Sequence, residues 1–342
     1  MRFRWVAVAV VAVLLGGGMA ILAGGGEKTT SVGGFDFHDG EVLADGLDLP
    51  WGLDHLPDGS ALVTQRDTAE ILRVTPDRSV EVVSQIDEVV PGGEGGLLGL
   101  AVSPDYVTDG LIYVYYTADE DNRVATVTLE DATPRPIITG IPKANIHNGG
   151  RVAFGPDGKL YVTTGDAADT DHSQDPGSLG GKILRLEPDG SIPADNPDPD
   201  SPVFSLGHRN VQGLAWTDDG VAYASELGQN AYDEVNLIEA GANYGWPIVE
   251  GRGGEGYTDP LHTWTPVEAS PSGAAVDSDT MFVAALRGAC LWVVPLDGGE
   301  PQAVLAGEHG RLRTVEVGPD GWLWITTSNG GDDRVMRYPP AE

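Results

Sequence analysis

The sequence predicts an all-β protein, a six-bladed β-propeller with four-stranded antiparallel blades, from its composition and from an internal repeat. Gly and Pro, at 48 and 24 of 342 residues, punctuate the whole chain, and both residues disfavour helix interiors. A short apolar strand followed by a turn built around Pro-Asp-Gly, or an acidic substitute for it, recurs six times. Hydrophobic residues make up 41% of the chain, which is enough for a packed core and excludes disorder.

The repeat sets the number of blades. Its copies begin at positions 52, 99, 151, 213, 273 and 314. The mean spacing of about 52 residues leaves room for four strands, as in a propeller blade. In the first interval, Ile71–Val74 and Val80–Ser84 are the two further strands. Because a small sheet buries its faces only against neighbouring blades, six such units are expected to close into a ring.

Three segments are expected along the chain. Residues 1–26 carry two arginines followed by an apolar run, the pattern of a signal peptide or an N-terminal membrane anchor. Residues 27–44 are predicted as a linker and the start of the domain, and residues 45–340 as the propeller. The protein is therefore expected outside the cytoplasm, as a secreted, periplasmic or membrane-anchored protein, with membrane attachment only through its N-terminal segment.

Charge and cysteine content exclude several partners and sites. With 52 acidic and 20 basic side chains, the formal net charge is −32, and such a surface repels nucleic acids and anionic lipids. The single cysteine, Cys290, excludes an intrachain disulfide and a metal site built from cysteines. Nucleic acid is therefore not expected as a partner.

The predicted topology places the chemically varied residues at one mouth of the central channel. Residues before each innermost strand and after the second strand meet there, whereas the opposite mouth receives the uniform turns. We therefore expect function at the first mouth and a plain surface at the other. The cationic side chains expected at the first mouth are Arg209, Arg287, Arg311 and Arg313.

Four arginines at one mouth indicate an anionic ligand. Guanidinium groups bind carboxylates and phosphates through paired hydrogen bonds. The alternative in so acidic a chain is that they pair with local acids such as Asp166, Asp169 and Glu226.

A histidine and a glycine-containing loop at the same mouth are further candidates. His147 lies in a glycine-flanked loop and can accept a proton at neutral pH; the alternative is a solvated or capping side chain. The loop at Gly228 and Gln229 offers backbone carbonyl oxygens, which hard cations such as calcium accept.

Six motifs follow one another along the chain: Gly93-Glu-Gly-Gly-Leu-Leu-Gly99, His147-Asn-Gly-Gly-Arg151, Ser178-Leu-Gly-Gly-Lys-Ile-Leu-Arg185, Gly207-His-Arg-Asn210, Glu226-Leu-Gly-Gln-Asn-Ala-Tyr-Asp-Glu-Val-Asn236 and Gly241-Ala-Asn-Tyr-Gly-Trp-Pro247. Together they resemble the soluble quinoprotein glucose and sorbosone dehydrogenases, including the aldose sugar dehydrogenases, and the resemblance covers residues 45–338. The resemblance implies a six-bladed propeller that carries pyrroloquinoline quinone (PQQ) and calcium. It further implies oxidation of an aldose sugar or related polyol to a lactone or acid, with electrons passed to an external acceptor.

The resemblance also implies roles for individual residues. His147 would be the general base for the sugar hydroxyl, while hydride passes from the same carbon to the quinone, and Arg209 would stabilise the reduced quinone. The residues implied in cofactor binding are Glu94, His147, Arg209, Asn210, Arg287, Arg311 and Arg313. Those implied near the substrate are Asp166 and Glu94. Backbone carbonyls of Gly228 and Gln229 would hold the calcium that polarises the quinone, and Glu234 and Tyr244 a second, structural calcium.

Four positions depart from the family pattern. Glu94 stands where glutamine is usual, Leu227 where a polar residue is usual, Gln229 where proline is usual, and Arg287 where lysine is common.

Two alternative functions stay open: a non-catalytic binding propeller of the same family, and a calcium-dependent lactone hydrolase. The irregular segments 169–177 and 250–260 are expected to carry the sugar specificity.

Overall fold

Six four-stranded antiparallel sheets follow one another in the computed structural model and confirm the predicted six-bladed propeller. The structure describes residues 31–341; the predicted signal peptide or anchor, residues 1–26, lies outside them. Within the described residues, no helix has the length and apolar character needed to cross a membrane. Two short strands, β1 (Ser31–Val32) and β2 (Phe35–Asp36), pair with each other before the propeller, and β3 (Glu41–Leu47) follows them.

The first three blades contain the following elements. Blade one is β4 (Pro50–His55), β5 (Ala61–Gln65), β6 (Glu70–Val74) and β7 (Val80–Gln85). Blade two is β8 (Leu97–Val102), β9 (Ile112–Thr117), β10 (Asn122–Val127) and β11 (Arg135–Ile141), with the short helix α1 (Tyr106–Asp109) after β8. Blade three is β12 (Val152–Phe154), β13 (Leu160–Thr163), β14 (Lys182–Leu186) and β15 (Val203–Leu206), with α2 (Asp171–Gln174) after β13.

The last three blades complete the ring. Blade four is β16 (Val211–Trp216), β17 (Ala222–Glu226), β18 (Asp233–Ile238) and β19 (His262–Trp264). Blade five is β20 (Pro271–Asp277), β21 (Thr280–Ala285), β22 (Cys290–Pro295) and β23 (Gln302–Val304). Blade six is β24 (Leu312–Val317), β25 (Leu323–Thr327) and β26 (Asp333–Tyr338), and β3 is its outermost strand. The ring therefore closes by antiparallel pairing between the two ends of the described chain.

Each repeat copy forms the innermost strand of a blade and the turn after it. In the Pro-Asp-Gly turns, Gly59, Gly158 and Gly321 have φ values of 83°, 73° and 78°, a left-handed conformation that glycine adopts without steric cost. The blades bury apolar side chains against each other, as Leu62 and Ile71 of blade one do against Leu100 of blade two. Burying one such side chain contributes roughly 1.5–3 kcal/mol, and the packed blades hold the loops at both mouths in place.

The prediction that the opposite mouth is plain is wrong. A cavity of about 290 Å³ lies at that end of the channel, and its lining includes Asp54 and Glu316. These residues belong to the innermost strands rather than to the uniform turns, so an inspection of the turns does not reveal them.

Candidate functional site

The His147 ring is held between an acid and an arginine. Its Nδ1 lies 2.7 Å from Oδ1 of Asp166, and its Nε2 lies 2.9 Å from Nη2 of Arg209. Because a guanidinium only donates hydrogen bonds, these partners assign the lone pair to Nε2 and the proton to Nδ1. The imidazole is thus held in the neutral tautomer whose basic nitrogen faces Arg209.

Asp166 fixes the orientation of that ring. It follows β13 and is only 1% exposed, and its carboxylate also accepts hydrogen bonds from Nε1 of Trp246 at 2.9 Å and from the Ala168 backbone N–H at 2.9 Å. Burial acts to raise the pKa of Asp166, but the hydrogen bonds from His147, Trp246 and the Ala168 backbone outweigh it, and the pKa lies below its usual value. The carboxylate is therefore ionised at neutral pH.

Arg209 lies beside the base and forms no ion pair within residues 31–341. Its Nη1 donates to the Leu227 carbonyl at 3.1 Å, its guanidinium lies 5.4 Å from the Trp246 ring centroid, and its buried Nε has no hydrogen-bond partner in the described part of the chain. Burial lowers the pKa of Arg209, yet guanidinium stays protonated in proteins. A half-buried cation with a free, buried N–H suits an incoming anionic oxygen.

The predicted pairing of the arginines with Asp166, Asp169 or Glu226 is not observed. Among residues 31–341, no carboxylate lies within ion-pair distance of the side chains of Arg209, Arg287, Arg311 or Arg313, although arginines elsewhere in this chain form ion pairs. Glu226 instead accepts hydrogen bonds from Nδ1 of His208 and from the backbone N–H of Arg209.

Three of the four predicted arginines are brought together. Arg311 is exposed, and its Nε donates to the Ser328 carbonyl at 3.1 Å. Arg313 is buried, and its Nη1 donates to Oε1 of Gln212 at 2.8 Å. Burial lowers the pKa of Arg313 to about 9, and the charges of Arg311 and Arg66 add to that effect. The negative charge of Glu94 acts to raise the pKa of both Arg209 and Arg313. Both arginines therefore lie near Glu94, at one mouth of the channel.

Arg287 stands apart from this group. It follows β21, whose Ala285 pairs with Pro271 at the start of β20, so it lies at the same mouth and is exposed. In the described residues its side chain makes no hydrogen bond or ion pair with the other candidates. The structure thus places Arg287 at the rim without joining it to His147 or Arg209.

Glu94 and Asn210 shape the loop that carries the base. A Glu94 carboxylate oxygen accepts the His147 backbone N–H at 2.8 Å, and the Asn210 amide oxygen accepts the Gly149 backbone N–H at 3.0 Å. His147 has a φ of 60°, an uncommon conformation for a residue other than glycine. Glu94 and Asn210, both predicted to bind the cofactor, therefore also hold the His147 loop in its left-handed turn.

The predicted calcium loop is organised by a residue that sequence reasoning missed. One carboxylate oxygen of Glu250 accepts four consecutive backbone N–H groups, from residues 229, 230, 231 and 232, at 2.6, 3.0, 3.1 and 3.2 Å. The Gly228 N–H donates to Oδ1 of Asp233 at 2.9 Å. The carbonyl oxygens of Gly228 and Gln229 accept no hydrogen bond within residues 31–341, so they are free to bind a cation.

The second predicted metal position adjoins this loop. Gly228, Glu234 and Tyr244 line one small cavity of about 10 Å³ together with Glu226 and Glu250, a volume near the least that holds a water molecule. Burial, and then the charge of Glu226, raise the pKa of Glu234 to about 8. The Tyr244 hydroxyl is already used, because it accepts the Glu239 backbone N–H and donates to the Leu237 carbonyl.

A cation in this region would depend on backbone oxygens. In the described part of the chain, no group of three or more His, Cys, Asp or Glu side chains is placed to hold a metal ion. Carbonyl oxygens are ligands that calcium accepts readily. The donor set thus fits calcium bound by loop carbonyls with few carboxylates.

Other contributors were also missed from the sequence. Trp246 donates to Asp166 and stacks near Arg209, and the only signal for it was its place in the Gly241–Pro247 motif. Arg151 ends the His147–Arg151 motif, which indicates no role for it. It lies inside the channel, 4.6 Å from the Trp51 ring centroid, with Nε donating to the Gln212 carbonyl at 2.9 Å.

The propeller mouth thus holds a neutral histidine beside a carboxylate, together with arginines that form no ion pair within residues 31–341, and this mouth is the candidate active site. Residues 47–337 match the profile of the glucose/sorbosone dehydrogenase family. The chain belongs to this family, which confirms the resemblance to quinoprotein sugar dehydrogenases.

Individual relatives agree with that assignment. The chain is 28% identical to an aldose sugar dehydrogenase of Escherichia coli, over 87% of this chain and 92% of that protein. It is 36% identical to quinoprotein glucose dehydrogenase B of Acinetobacter calcoaceticus over 62% of this chain, but spans only 53% of that relative. The structure of the PQQ-bound aldose sugar dehydrogenase of Streptomyces coelicolor superposes with a TM-score of 0.84 and 49% identity, covering 87% of this chain and 96% of that one.

Proposed function

We propose that the protein is an exported, PQQ- and calcium-dependent dehydrogenase that oxidises an aldose sugar or a related polyol to a lactone or acid and passes the electrons to an external acceptor. The observation that carries the proposal is the His147 ring, fixed as a neutral base between Asp166 and Arg209. The PQQ-bound relative from Streptomyces coelicolor supports the choice of cofactor.

The residues present fit an anionic quinone. Arg209, Arg311 and Arg313 have no carboxylate partner in the described chain, and the buried Nε atoms of Arg209 and Arg313 have no partner at all. Cofactor carboxylates and quinone oxygens would satisfy these N–H groups. Arg311 and Arg287 at the rim would bind the carboxylates, and Arg209 would meet the quinone. Asn210 is buried beside them, and its Nδ2 makes no hydrogen bond within residues 31–341.

The chain's own residues perform the proton transfer. When bound, PQQ supplies the oxidant, since it accepts the hydride that leaves the sugar carbon. Nε2 of His147 takes the proton of the hydroxyl on that carbon, and the C–O bond becomes a carbonyl. Asp166 stabilises the imidazolium that forms, because its carboxylate is ionised and already accepts Nδ1–H. Arg209 donates a hydrogen bond to Nε2, which keeps the lone pair of the ring on that nitrogen.

The proposal is tested by titrating the purified protein with PQQ in calcium-containing buffer, following the ultraviolet-visible spectrum, and then adding a panel of aldoses and polyols with a reducible dye. We expect saturable quinone binding, a spectral change on adding a sugar that is oxidised, and dye reduction. Quinone binding without reduction by any sugar would overturn the dehydrogenase proposal. Failure to bind the quinone would favour the non-catalytic binding propeller.

Glu250 should control calcium affinity. Glu250→Gln keeps the shape of the side chain but removes the negative charge of the oxygen that accepts the four N–H groups of residues 229–232. Loss of a side chain that orients the metal ligands typically weakens metal binding about 10- to 100-fold. We expect a loss of that size in calcium affinity, measured by calorimetry with the quinone present.

The matched control for this prediction is Glu255→Gln, the same substitution at an exposed residue of the same segment. Its calcium affinity should equal that of the unchanged protein. Equal calcium affinity for Glu250→Gln and Glu255→Gln would show that Glu250 does not position the loop.

A further inference from the structure

The channel contains a second chemically distinct site at the end away from His147. The cavity of about 290 Å³ there is walled by the innermost strands of all six blades. Most of the side chains along its wall are apolar, including Leu53, Leu100, Phe154, Leu214 and Trp216, although polar atoms make up the larger part of the surface that the cavity exposes. Asp54 and Glu316 are the two carboxylates in this lining, and no basic side chain joins them there.

Both carboxylates occupy the same position of the repeat. At the third residue of the repeat copy, four blades carry alanine, and blades one and six carry Asp54 and Glu316; the alanines are Ala101, Ala153, Ala215 and Ala275. The strands that carry the two acids, β4 and β24, contact each other where the ring closes. The acids therefore stand side by side in an otherwise small and apolar layer.

The two carboxylates differ in how they are satisfied. Asp54 accepts the backbone N–H of Val102 at 2.7 Å and that of His55 at 2.6 Å. Glu316 accepts no hydrogen bond within residues 31–341, and although it is enclosed by the strands, it keeps some accessible surface, which faces the cavity. A carboxylate with no donor in such surroundings is costly to ionise.

The surrounding charges do not neutralise this pair. Burial, together with the charge of Asp54 and against the opposing charge of Arg151, raises the pKa of Glu316 to about 8. Burial raises the pKa of Asp54 to about 6. Arg151 is already engaged, donating to the Gln212 carbonyl and to Oγ1 of Thr314 at 3.0 Å. Among residues 31–341, neither Asp54 nor Glu316 forms an ion pair, so a cation inside the cavity would supply the missing positive charge.

The lining decides which cation fits. Calcium takes six to eight oxygen ligands, whereas these walls offer two carboxylates among apolar side chains. The volume lies near the lower limit of roughly 300 Å³ for small-molecule sites. We propose that this cavity binds a small organic cation, an amidinium or primary ammonium group on an apolar body, with its charged end against Glu316 and Asp54.

The cavity is separate from the proposed active site. Arg151, Trp51, Arg313 and Gln212 contact one another across the channel between the two ends. Binding in the cavity should therefore need neither quinone nor calcium. The proposal stands whether or not the protein oxidises sugars.

The test is calorimetry on the purified protein without quinone or calcium, with benzamidinium chloride as the probe and neutral benzamide as its isostere. We expect one benzamidinium site and no benzamide binding. Because binding favours ionised Glu316, the affinity should rise from pH 6 to pH 8 and level off above, with a proton released at pH 7. Benzamidinium keeps its charge throughout that range.

Two variants and a control locate the site. Glu316→Gln breaks no hydrogen bond, so it should fold normally and bind benzamidinium at least about 30-fold more weakly. Ala153→Leu, which fills the cavity without changing charge, should also block binding. Glu308→Gln, an exposed glutamate elsewhere, should bind as the unchanged protein does.

The proposal is overturned by no benzamidinium binding, by equal binding of benzamide, or by binding that Glu316→Gln and Ala153→Leu both leave intact. Calcium binding abolished by Glu316→Gln, in place of benzamidinium binding, would also overturn it and identify a metal site.

Discussion

Replacing His147 with Asn is expected to lower sugar-dependent dye reduction by about 10²- to 10⁴-fold, the range associated with loss of a general base, while quinone binding is retained. Asn tolerates the left-handed backbone that His147 adopts better than most residues, so the loop and its hydrogen bond to Glu94 should persist. The asparagine amide has no basic nitrogen to accept the hydroxyl proton. The measurement is kcat from dye reduction beside the quinone dissociation constant from the spectral titration.

His38→Asn is the control for this experiment, because His38 is exposed and lies outside the blades. It should leave both quantities unchanged. Retained turnover in His147→Asn would remove His147 from its role as base. Loss of quinone binding together with turnover would show that the histidine acts through the cofactor site rather than as a base.

The fold was predictable because the sequence contains six copies of one repeat, a short apolar strand followed by a turn. Each repeat copy marks the innermost strand and its turn, and the structure places all six there. Ring closure by β3 was not predictable in this way, since the pairing of β3 with β26 joins residues nearly 290 positions apart, such as Leu47 and Asp333. Such pairing is decided by the completed ring and not by a local pattern.

The sequence predicts which residues form the candidate site, but not which of their side chains contact one another. Repeat phase placed His147 and the arginines at one mouth, and the motifs suggested their chemistry. The contact between His147 and Asp166 joins the connection between blades two and three to a loop of blade three, whereas Trp246 and Glu250 come from the irregular segment between β18 and β19. No periodicity governs that segment, so its side chains could not be positioned from the sequence.

The cavity at the opposite mouth was missed for a different reason. Asp54 and Glu316 look like ordinary polar residues of alternating strands, which would normally face water. In a closed ring the innermost strands have no free face, so an acid there is enclosed by the neighbouring blades. Only the comparison of repeat copies, four alanines against two acids, reveals the substitution.

Replacing Asp166 with Asn is expected to lower kcat by about 10²- to 10⁴-fold with little change in quinone affinity. The carboxylate now accepts from His147 and Ala168 on one oxygen and from Trp246 on the other. The asparagine amide has only one oxygen that can accept hydrogen bonds. If that oxygen faces His147, the NH₂ group points at the Trp246 N–H. If the NH₂ group faces His147 instead, it donates to Nδ1, and the ring proton moves to Nε2, where it points at Arg209. Both orientations remove the charge that stabilises the imidazolium. Asp39→Asn, the same change at an exposed residue outside the blades, should keep full activity. If Asp166→Asn also keeps full activity, the histidine does not need its carboxylate and the proposed proton transfer is wrong.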